Sequence, residues 1–290
     1  MAKLLTGREA ASALTAALRR RTAALAERGV TPKLAILRCG ENESDSAYLR
    51  SAQQRAARCG VAVEVTSLPE TVSRTALLAA IDDVNRDASV HGCLLLHPLP
   101  AHLRDAEDAI CNRLLPEKDV DGMTDVSAAG VYLGRSVGFA PCTAEAVTVL
   151  LDHYGIDCTG KRAVVIGRSP VVGRPAAMLL LERNATVTVC HTRTRALSAV
   201  TREADIIVSA AGAAGCLTAA HVRPGQTIID VSANWDAAKN TIVGDADFDK
   251  VASIVDAITP VPGGVGAVTS AVLMRHVVQA AERTLEGGNL

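Results

Sequence analysis

Residues 159–194 carry the side chains whose spacing speaks most directly to chemistry. The apolar run Ala163-Val164-Val165-Ile166 stops at Gly167, passes Arg168 and Ser169, and reopens from Gly173 as a helix through Leu181. A second apolar strand, Ala185 to Val189, then closes at Cys190-His191-Thr192-Arg193-Thr194. A strand that turns on glycine into a helix offers backbone N–H groups and the positive end of a helix dipole to a phosphate. Gly167 and Gly173 are six apart, so the spacing is not the common G-x-G-x-x-G. Arg168 and Arg193 follow the ends of the first and second strands, where the extra phosphate of NADP would lie. No acidic residue closes the second strand to hold a free ribose hydroxyl. The pattern predicts an NADP(H) site, although a plain strand–helix–strand unit with surface arginines would share it.

The elements that must position this unit alternate along the whole chain. Arg8 to Arg28 reads as a helix closing at Gly29, Lys33 to Arg38 as a strand, and Glu43 to Cys59 as a helix closing at Gly60. Val61 to Ser67 follows as a strand, Arg74 to Arg86 as a helix, and Gly92 to Leu96 as a short strand stopped by Pro98 and Pro100. After a loop at Pro116 to Gly122, the helix Thr143 to Tyr154 leads into the glycine-turn unit. Further strands are expected at Ile206 to Ala210, Thr227 to Val231 and near Ser253 to Val255, and a last helix from Ser270 to Leu285. Strand–helix alternation predicts α/β architecture with parallel sheets. The expected division is a substrate domain of residues 1–140, rejoined by 270–290, and a Rossmann-type domain of residues 141–269. The cleft between two such sheets is the default place for a cofactor and its substrate.

Composition narrows the classes. The 290 residues have room for two domains, and 49% are hydrophobic with only 2% aromatic, so the core must be aliphatic. A net charge of −1 with no basic stripe argues against nucleic acid. No apolar run is long enough to span a bilayer, and the charged start at Arg8 and Glu9 does not resemble a signal peptide. The eight cysteines are scattered without a CxxC pair, which predicts no metal site and a reducing compartment. A soluble cytoplasmic enzyme with a small-molecule substrate is expected.

Three segments then carry a resemblance. Pro116-Glu117-Lys118-Asp119-Val120-Asp121-Gly122, Gly167-Arg168-Ser169 with Val172-Gly173-Arg174-Pro175, and Thr259-Pro260-Val261-Pro262-Gly263-Gly264-Val265-Gly266 resemble the signature segments of the bifunctional methylenetetrahydrofolate dehydrogenase/cyclohydrolases. Pro141-Cys142-Thr143, Cys190-His191-Thr192-Arg193-Thr194 and Val243-Gly244-Asp245 support it in order along the chain. The resemblance implies NADP-linked oxidation of methylene-tetrahydrofolate, hydrolysis of the methenyl product, and a homodimer joined through the Rossmann domains. It implies that Ser169, His191, Thr192 and Ala233 join Gly167, Arg168, Gly173 and Arg193 around the cofactor. It also implies that Tyr48, Leu96, Pro98, Asp121, Pro262, Gly263 and Gly264 face the substrate, with Tyr48, Asp121 and Asp45 at the reacting centre.

The chain departs from the family where the substrate should lie. The family's Tyr-x-x-x-Lys is Tyr48-Leu49-Arg50-Ser51-Ala52 here, so the catalytic Lys is an alanine. The Gln that supports that Lys is Leu96, and the Ser one turn before the Tyr is Asp45. Beyond the glycine loop, Ala267-Val268 replaces Pro-Met, and Ser232-Ala233 replaces Gly-Ile. Positions 45, 48, 52 and 55 share one helical face, which now offers Asp45, Tyr48, a methyl group and Arg55. Cyclohydrolysis needs a proton shuttle worth about 10²–10⁴ in rate, whereas the hydride chemistry belongs to the nicotinamide. These losses predict an oxidoreductase whose cyclohydrolase activity is weak or lost; the alternative is a paralogue that reduces a non-folate imine or iminium. Bland roles compete at each position: packing for Tyr48, a turn for Asp121, a solvated first-turn carboxylate for Asp45, an exposed helix cation for Arg55. His97 is expected to pack or lie on the surface, because an extended segment turns it away from Leu96. His191 is expected to be structural, and three glycines after Pro262 suggest a backbone pressed against a ligand.

Overall fold

A computed structural model describes residues 2–40, 43–238 and 240–286; the side chains of residues 43–48 and 286 lie outside the described part. In chain order the elements are β1 (Lys3–Leu4), α1 (Gly7–Glu27), β2 (Lys33–Cys39), α2 (Glu43–Cys59), β3 (Ala62–Leu68), α3 (Arg74–Arg86), β4 (Gly92–Leu95), α4 (Glu107–Cys111), α5 (Asp125–Leu133) and α6 (Cys142–His153). There follow β5 (Arg162–Ile166), α7 (Gly173–Glu182), β6 (Thr186–Cys190), α8 (Leu197–Arg202), β7 (Ile206–Ser209), β8 (Thr227–Asp230), β9 (Asn234–Asp236), β10 (Thr241–Val243), α9 (Phe248–Ala252), β11 (Ala257–Ile258) and α10 (Gly266–Glu286). They form two compact units, residues 13–142 with 270–290, and residues 1–12 with 143–269.

The first unit is built on a three-stranded parallel sheet in the order β3-β2-β4. Its central strand is buried from Leu34 to Leu37, the continuous apolar run expected of a strand covered on both faces. Ala35, Leu37, Leu77, Ile81, Leu99 and Ile110 share one core cluster. Ser73 caps α3 by accepting from Ala76 N at 3.2 Å. Lys118 finishes the same helix, donating from Nζ to the carbonyls of Val84, Asn85 and Asp87 at 2.7, 3.1 and 2.7 Å.

The second unit carries a six-stranded sheet in the order β1-β11-β8-β7-β5-β6, all of it parallel. Val164, Ile166, Ile207, Ile228, Val251 and Ile258 fill one side of it. Residues 1–12, expected with the first domain, lie here because β1 pairs with β11 through Lys3↔Ala257 and Leu4↔Ile258. The strand expected near Ser253–Val255 forms instead at Ala257–Ile258. Ile254 and Val255 donate back to Val251 O and so finish the turn after α9, while Val255 still buries its side chain in the core. The last helix starts at Gly266, four residues ahead of the expected Ser270. The β9–β10 hairpin, α5 and α8 were not anticipated from the sequence. Among the described residues no helix is long and apolar enough to cross a membrane, and none of the His, Cys, Asp and Glu side chains cluster to hold a metal.

Candidate active site

The glycine turn of the second unit is closed by backbone contact. Gly167 has φ 126°, and a Cβ there would sit 2.2 Å from Ala210 O. A Cβ on Gly173 would meet Gly167 O at 2.4 Å and Arg168 N at 2.8 Å. Only glycine allows β5 to turn this tightly into α7. Ser169 Oγ accepts from Val172 N at 3.2 Å and Gly173 N at 3.3 Å, so this serine fixes the first turn of the helix. Arg168 and Arg193 are exposed, each just past the end of adjacent strands in which Ile166 pairs with Cys190. His191 holds the turn: its Nδ1 accepts from Arg193 N at 3.1 Å, and its N–H donates to Thr194 Oγ1 at 2.9 Å. Thr192 is exposed beside it. A tight glycine cradle, a helix start and two unburied guanidinium groups on one sheet edge fit a phosphorylated dinucleotide.

On the same unit, Ala233, Pro262, Gly263 and Gly264 line a cleft with about 370 Å³ of water-accessible space, together with Asp230 and Ile242. The Val261–Pro262 peptide is cis. The tight approach at the glycine loop is made to the chain itself: Gly7 donates to Gly263 O at 2.8 Å, and a Cβ on Gly7 would lie 2.0 Å from Gly264 O. Gly266 is open, with nothing within 4 Å of an added Cβ. Behind the cleft two buried carboxylates tie the strand ends together. Asp245 accepts from Ser209 Oγ, Ala211 N and Ser232 Oγ at 2.9, 2.8 and 2.8 Å, and from Ala213 N at 2.8 Å. Asp230 accepts from Ala246 N at 2.8 Å and Asp245 N at 3.1 Å. Burial, with Asp245 adding like charge, pushes the Asp230 carboxyl up to about 6.

The Pro116–Gly122 segment of the first unit sorts its charged residues by role. Lys118 is a helix cap. Asp119 is consumed by its own loop, accepting from Met123 N, Thr124 N, Thr124 Oγ1 and Ser127 Oγ at 2.9, 2.8, 2.7 and 2.6 Å. Asp121 is left to line a small cavity with Cys93, His97, Cys111 and Met123, and burial pushes its carboxyl up. Gly122 follows with φ 69° because a Cβ would meet Pro141 N at 2.5 Å.

The remaining first-unit positions divide sharply. Asp45 and Tyr48 fall on the backbone of α2, but their side chains lie outside the described residues. Ala52 is 1% exposed and Leu96 8%, so a methyl and an isobutyl group stand buried at these two positions. Pro98 is exposed after a cis bond from His97. Arg55 is not an exposed helix cation: it is half-buried, donating from Nε to Ser270 Oγ at 3.3 Å and from Nη1 to Thr15 Oγ1 at 3.2 Å. His97 is partly buried, with its Nδ1 2.7 Å from Glu107 Oε1. All eight cysteines are free thiols, six of them buried.

Comparison with known proteins decides the family. Residues 5–121 match the model of the tetrahydrofolate dehydrogenase/cyclohydrolase catalytic domain, and residues 141–285 that of its NAD(P)-binding domain. The chain belongs to this family. The protein named Bifunctional protein FolD in Carboxydothermus hydrogenoformans is 46% identical over 284 residues, 97% of this chain and 98% of that one. The crystal structure of a FolD methylenetetrahydrofolate dehydrogenase/cyclohydrolase from Campylobacter jejuni superposes with a TM-score of 0.93 at 39% identity, covering 98% and 100%. A Trypanosoma brucei methylenetetrahydrofolate dehydrogenase-cyclohydrolase, solved with NADP and an inhibitor, has a TM-score of 0.89 at 33% identity, covering 98% of each chain. The NADP(H) expected from the glycine turn agrees with the family's NAD(P)-binding domain and with the NADP bound in the Trypanosoma brucei relative.

Sequence reasoning missed the Asp230–Asp245 pair, the Glu107 partner of His97, and His276. His276 is 1% exposed, donates from Nδ1 to Val120 O at 2.8 Å, and packs its ring on Phe139 at 4.9 Å between ring centroids. None of these had a local signal, since each depends on partners brought together by the fold.

Proposed function

We propose that the chain is an NADP(H)-dependent methylenetetrahydrofolate dehydrogenase in which the cyclohydrolase step is weak or lost. Family membership supports the first half. Ala52 carries the second: at 1% exposure, with Leu96 beside β4 at 8%, the helix face offers no amine where the family places its proton shuttle. When bound, the nicotinamide would supply the hydride acceptor for oxidation of methylene-tetrahydrofolate to the methenyl cation. The chain's own residues would supply orientation and field: Gly167 and Gly173 would admit the pyrophosphate to the start of α7, and Arg168 and Arg193 would neutralise the ribose phosphate. Asp121, when ionised, would place negative charge near the reacting carbon, which favours a cationic ligand over a neutral one. Addition of water to the methenyl carbon must release a proton, and neither a methyl group nor an isobutyl group can accept it.

Arg55 does not fill that role, because its guanidinium is held by Thr15 and Ser270. A non-folate imine reductase has less support, because the match to the folate family runs through both domains. We also propose a homodimer through the second unit. There β6 is an edge strand with Val189 39% exposed, and Leu181 on the neighbouring helix is 55% exposed, an open edge that folded proteins usually cover. Sedimentation as a monomer at micromolar concentration would contradict the dimer. The functional proposal is tested by supplying methylene-tetrahydrofolate with NADP and, separately, methenyl-tetrahydrofolate alone. Hydride transfer with background-rate hydrolysis supports it; absence of hydride transfer, or rapid hydrolysis, overturns it.

A further inference from the structure

The first seven residues of the chain reach the glycine loop of the candidate site. Lys3, Leu5 and Gly7, alternate residues of one extended segment, donate their N–H groups to Asp256 O, Ile258 O and Gly263 O at 2.7, 2.9 and 2.8 Å. The first two bonds follow the sheet edge where β1 pairs with β11. The third passes the end of β11 and takes hold of the loop. Leu5 is fully buried. Tyr154, just past the end of α6, holds the same segment: its hydroxyl donates to Thr6 O at 2.9 Å and lies 3.2 Å from Thr6 Oγ1. Lys3 Nζ stands 5.0 Å from the centroid of that ring. At Gly7 the contact is backbone to backbone. A Cβ there would sit 2.0 Å from Gly264 O and 3.0 Å from Ala267 Cβ. Gly264 is itself tightly backed, since its own Cβ would meet Pro260 O at 2.5 Å and Thr259 Cβ at 2.9 Å. Close-packed backbone transmits a displacement instead of absorbing it. The loop from Pro262 to Gly266 lines the cleft with Ala233 and Ile242.

We propose that Gly7 is a positioning residue: the segment Lys3–Gly7 is a strap that fixes the glycine loop, and through it the wall of the cleft against which the substrate is seated. The inference rests on the reading that Pro262, Gly263 and Gly264 face methylene-tetrahydrofolate. Gly7 is needed for its lack of bulk and not for its conformation, because its φ lies outside the left-handed region. It opens α1, where alanine is the better helix former by about 1 kcal/mol, so local propensity favours a side chain that the loop forbids. Ordinary contact begins at 3.4 Å, so an added methyl group would push Gly264 back by about 1 Å, and a misplacement of that size costs about 100-fold in rate. Gly264 O also accepts from Ala267 N at 3.1 Å in the first turn of α10, a bond that the same push must break.

The test compares Gly7→Ala and Tyr154→Phe with a control, Gly160→Ala, which lies in the same unit at φ 70° with nothing within 4 Å of an added Cβ. In Gly7→Ala, KM for methylene-tetrahydrofolate should rise at least about tenfold and kcat/KM should fall about 100-fold. NADP affinity, set at the Gly167–Gly173 turn, should move by less than about threefold. Amide hydrogen exchange, followed by mass spectrometry without substrate, should speed up at Ala267. Tyr154→Phe keeps the ring and releases Thr6, so it should raise both KM and Ala267 exchange by a smaller factor; it carries the test alone if Gly7→Ala does not fold. Gly160→Ala should lose stability and keep its KM. An unchanged KM in the folded strap variants overturns the proposal, whatever the exchange shows. So does an equal rise of KM in Gly160→Ala, which would trace the effect to general loosening. If the unmodified protein fails to oxidise methylene-tetrahydrofolate, the functional proposal falls, and faster exchange at Ala267 in the strap variants would still establish the hold of the strap on the loop.

Discussion

Placing Lys at position 52 tests the site most severely, because the structure shows what the lysine would enter. Ala52 is 1% exposed and Leu96 8%, and Leu96 is fixed on the sheet by its backbone bond to Leu37 O at 2.9 Å. Ala52→Lys alone would bury an ammonium without an acceptor, a loss of about 3–5 kcal/mol in stability, and the same desolvation would lower the pKa of the new amine. Leu96→Gln alone would lose apolar burial and leave an amide short of partners, at about 2–3 kcal/mol. The family resemblance pairs the two positions, so in the double variant the amide oxygen should accept from the ammonium, and a hydrogen bond to a charged group returns about 1.5–3 kcal/mol. The double variant should therefore be more stable than the sum of the two losses by that amount. A restored proton shuttle is worth about 10²–10⁴ in rate, or roughly 3–5 kcal/mol of barrier at 1.36 kcal/mol per tenfold. Denaturant unfolding gives the coupling, and decay of methenyl-tetrahydrofolate against its spontaneous rate gives the activity. Hydrolysis should stay near background in the unmodified protein and rise at least about 100-fold in the double variant. No gain in a double variant that is folded and positively coupled would refute the assignment of the missing group to position 52.

Other consequences follow from named contacts. Arg168→Ala with Arg193→Ala should weaken NADP(H) binding at least tenfold per arginine, each charged contact contributing about 1.5–3 kcal/mol, and leave NAD(H) nearly unchanged; equal losses for both cofactors in a titration would refute the phosphate assignment. Gly173→Ala drives a Cβ to 2.4 Å from Gly167 O, so the turn must open, and calorimetry should show at least about tenfold weaker cofactor binding in a protein that keeps its helical circular dichroism. Asp230 is held near 6 by burial, above its unfolded value, so the native state binds the extra proton and stability from this group is lost as pH rises from about 4 through 6. Two units correspond to about 3 kcal/mol. That component should vanish from the pH dependence of unfolding in Asp230→Asn, and an unaltered slope would show that Asp230 titrates normally.

What could be read from the sequence was whatever is fixed locally. Helices such as Glu43–Cys59 and Arg74–Arg86 have their apolar spacing and Gly60 or Ser73 to bound them. The glycines at 167 and 173 announce a close backbone approach, and in the structure a Cβ on Gly173 would collide with Gly167 O. Strand β1 is two residues long and exists only because β11 lies ready to pair with it, so no local pattern marks it. Ile254-Val255 looks like a strand because it is apolar, yet its backbone is spent on closing the turn after α9. The same limit governs the site. Asp121 was legible as part of a motif, but that Asp119 beside it is structural follows only from its four hydrogen bonds. The orientation of His97 is set by Glu107, ten residues away on a helix of five, and no alternation rule along the strand could have shown it. Arg55 looked solvent-facing until α1 and α10 supplied Thr15 and Ser270.

The most direct measurement is a single progress curve. The protein is given NADP and methylene-tetrahydrofolate, and NADPH and the methenyl cation are recorded together by their separate absorbances. A buried alanine at position 52 predicts that the two rise in step, one methenyl for each NADPH, until spontaneous hydrolysis overtakes. NADPH rising while methenyl stays flat would mean that the cation is hydrolysed as fast as it forms, and that this site moves the proton without the missing amine.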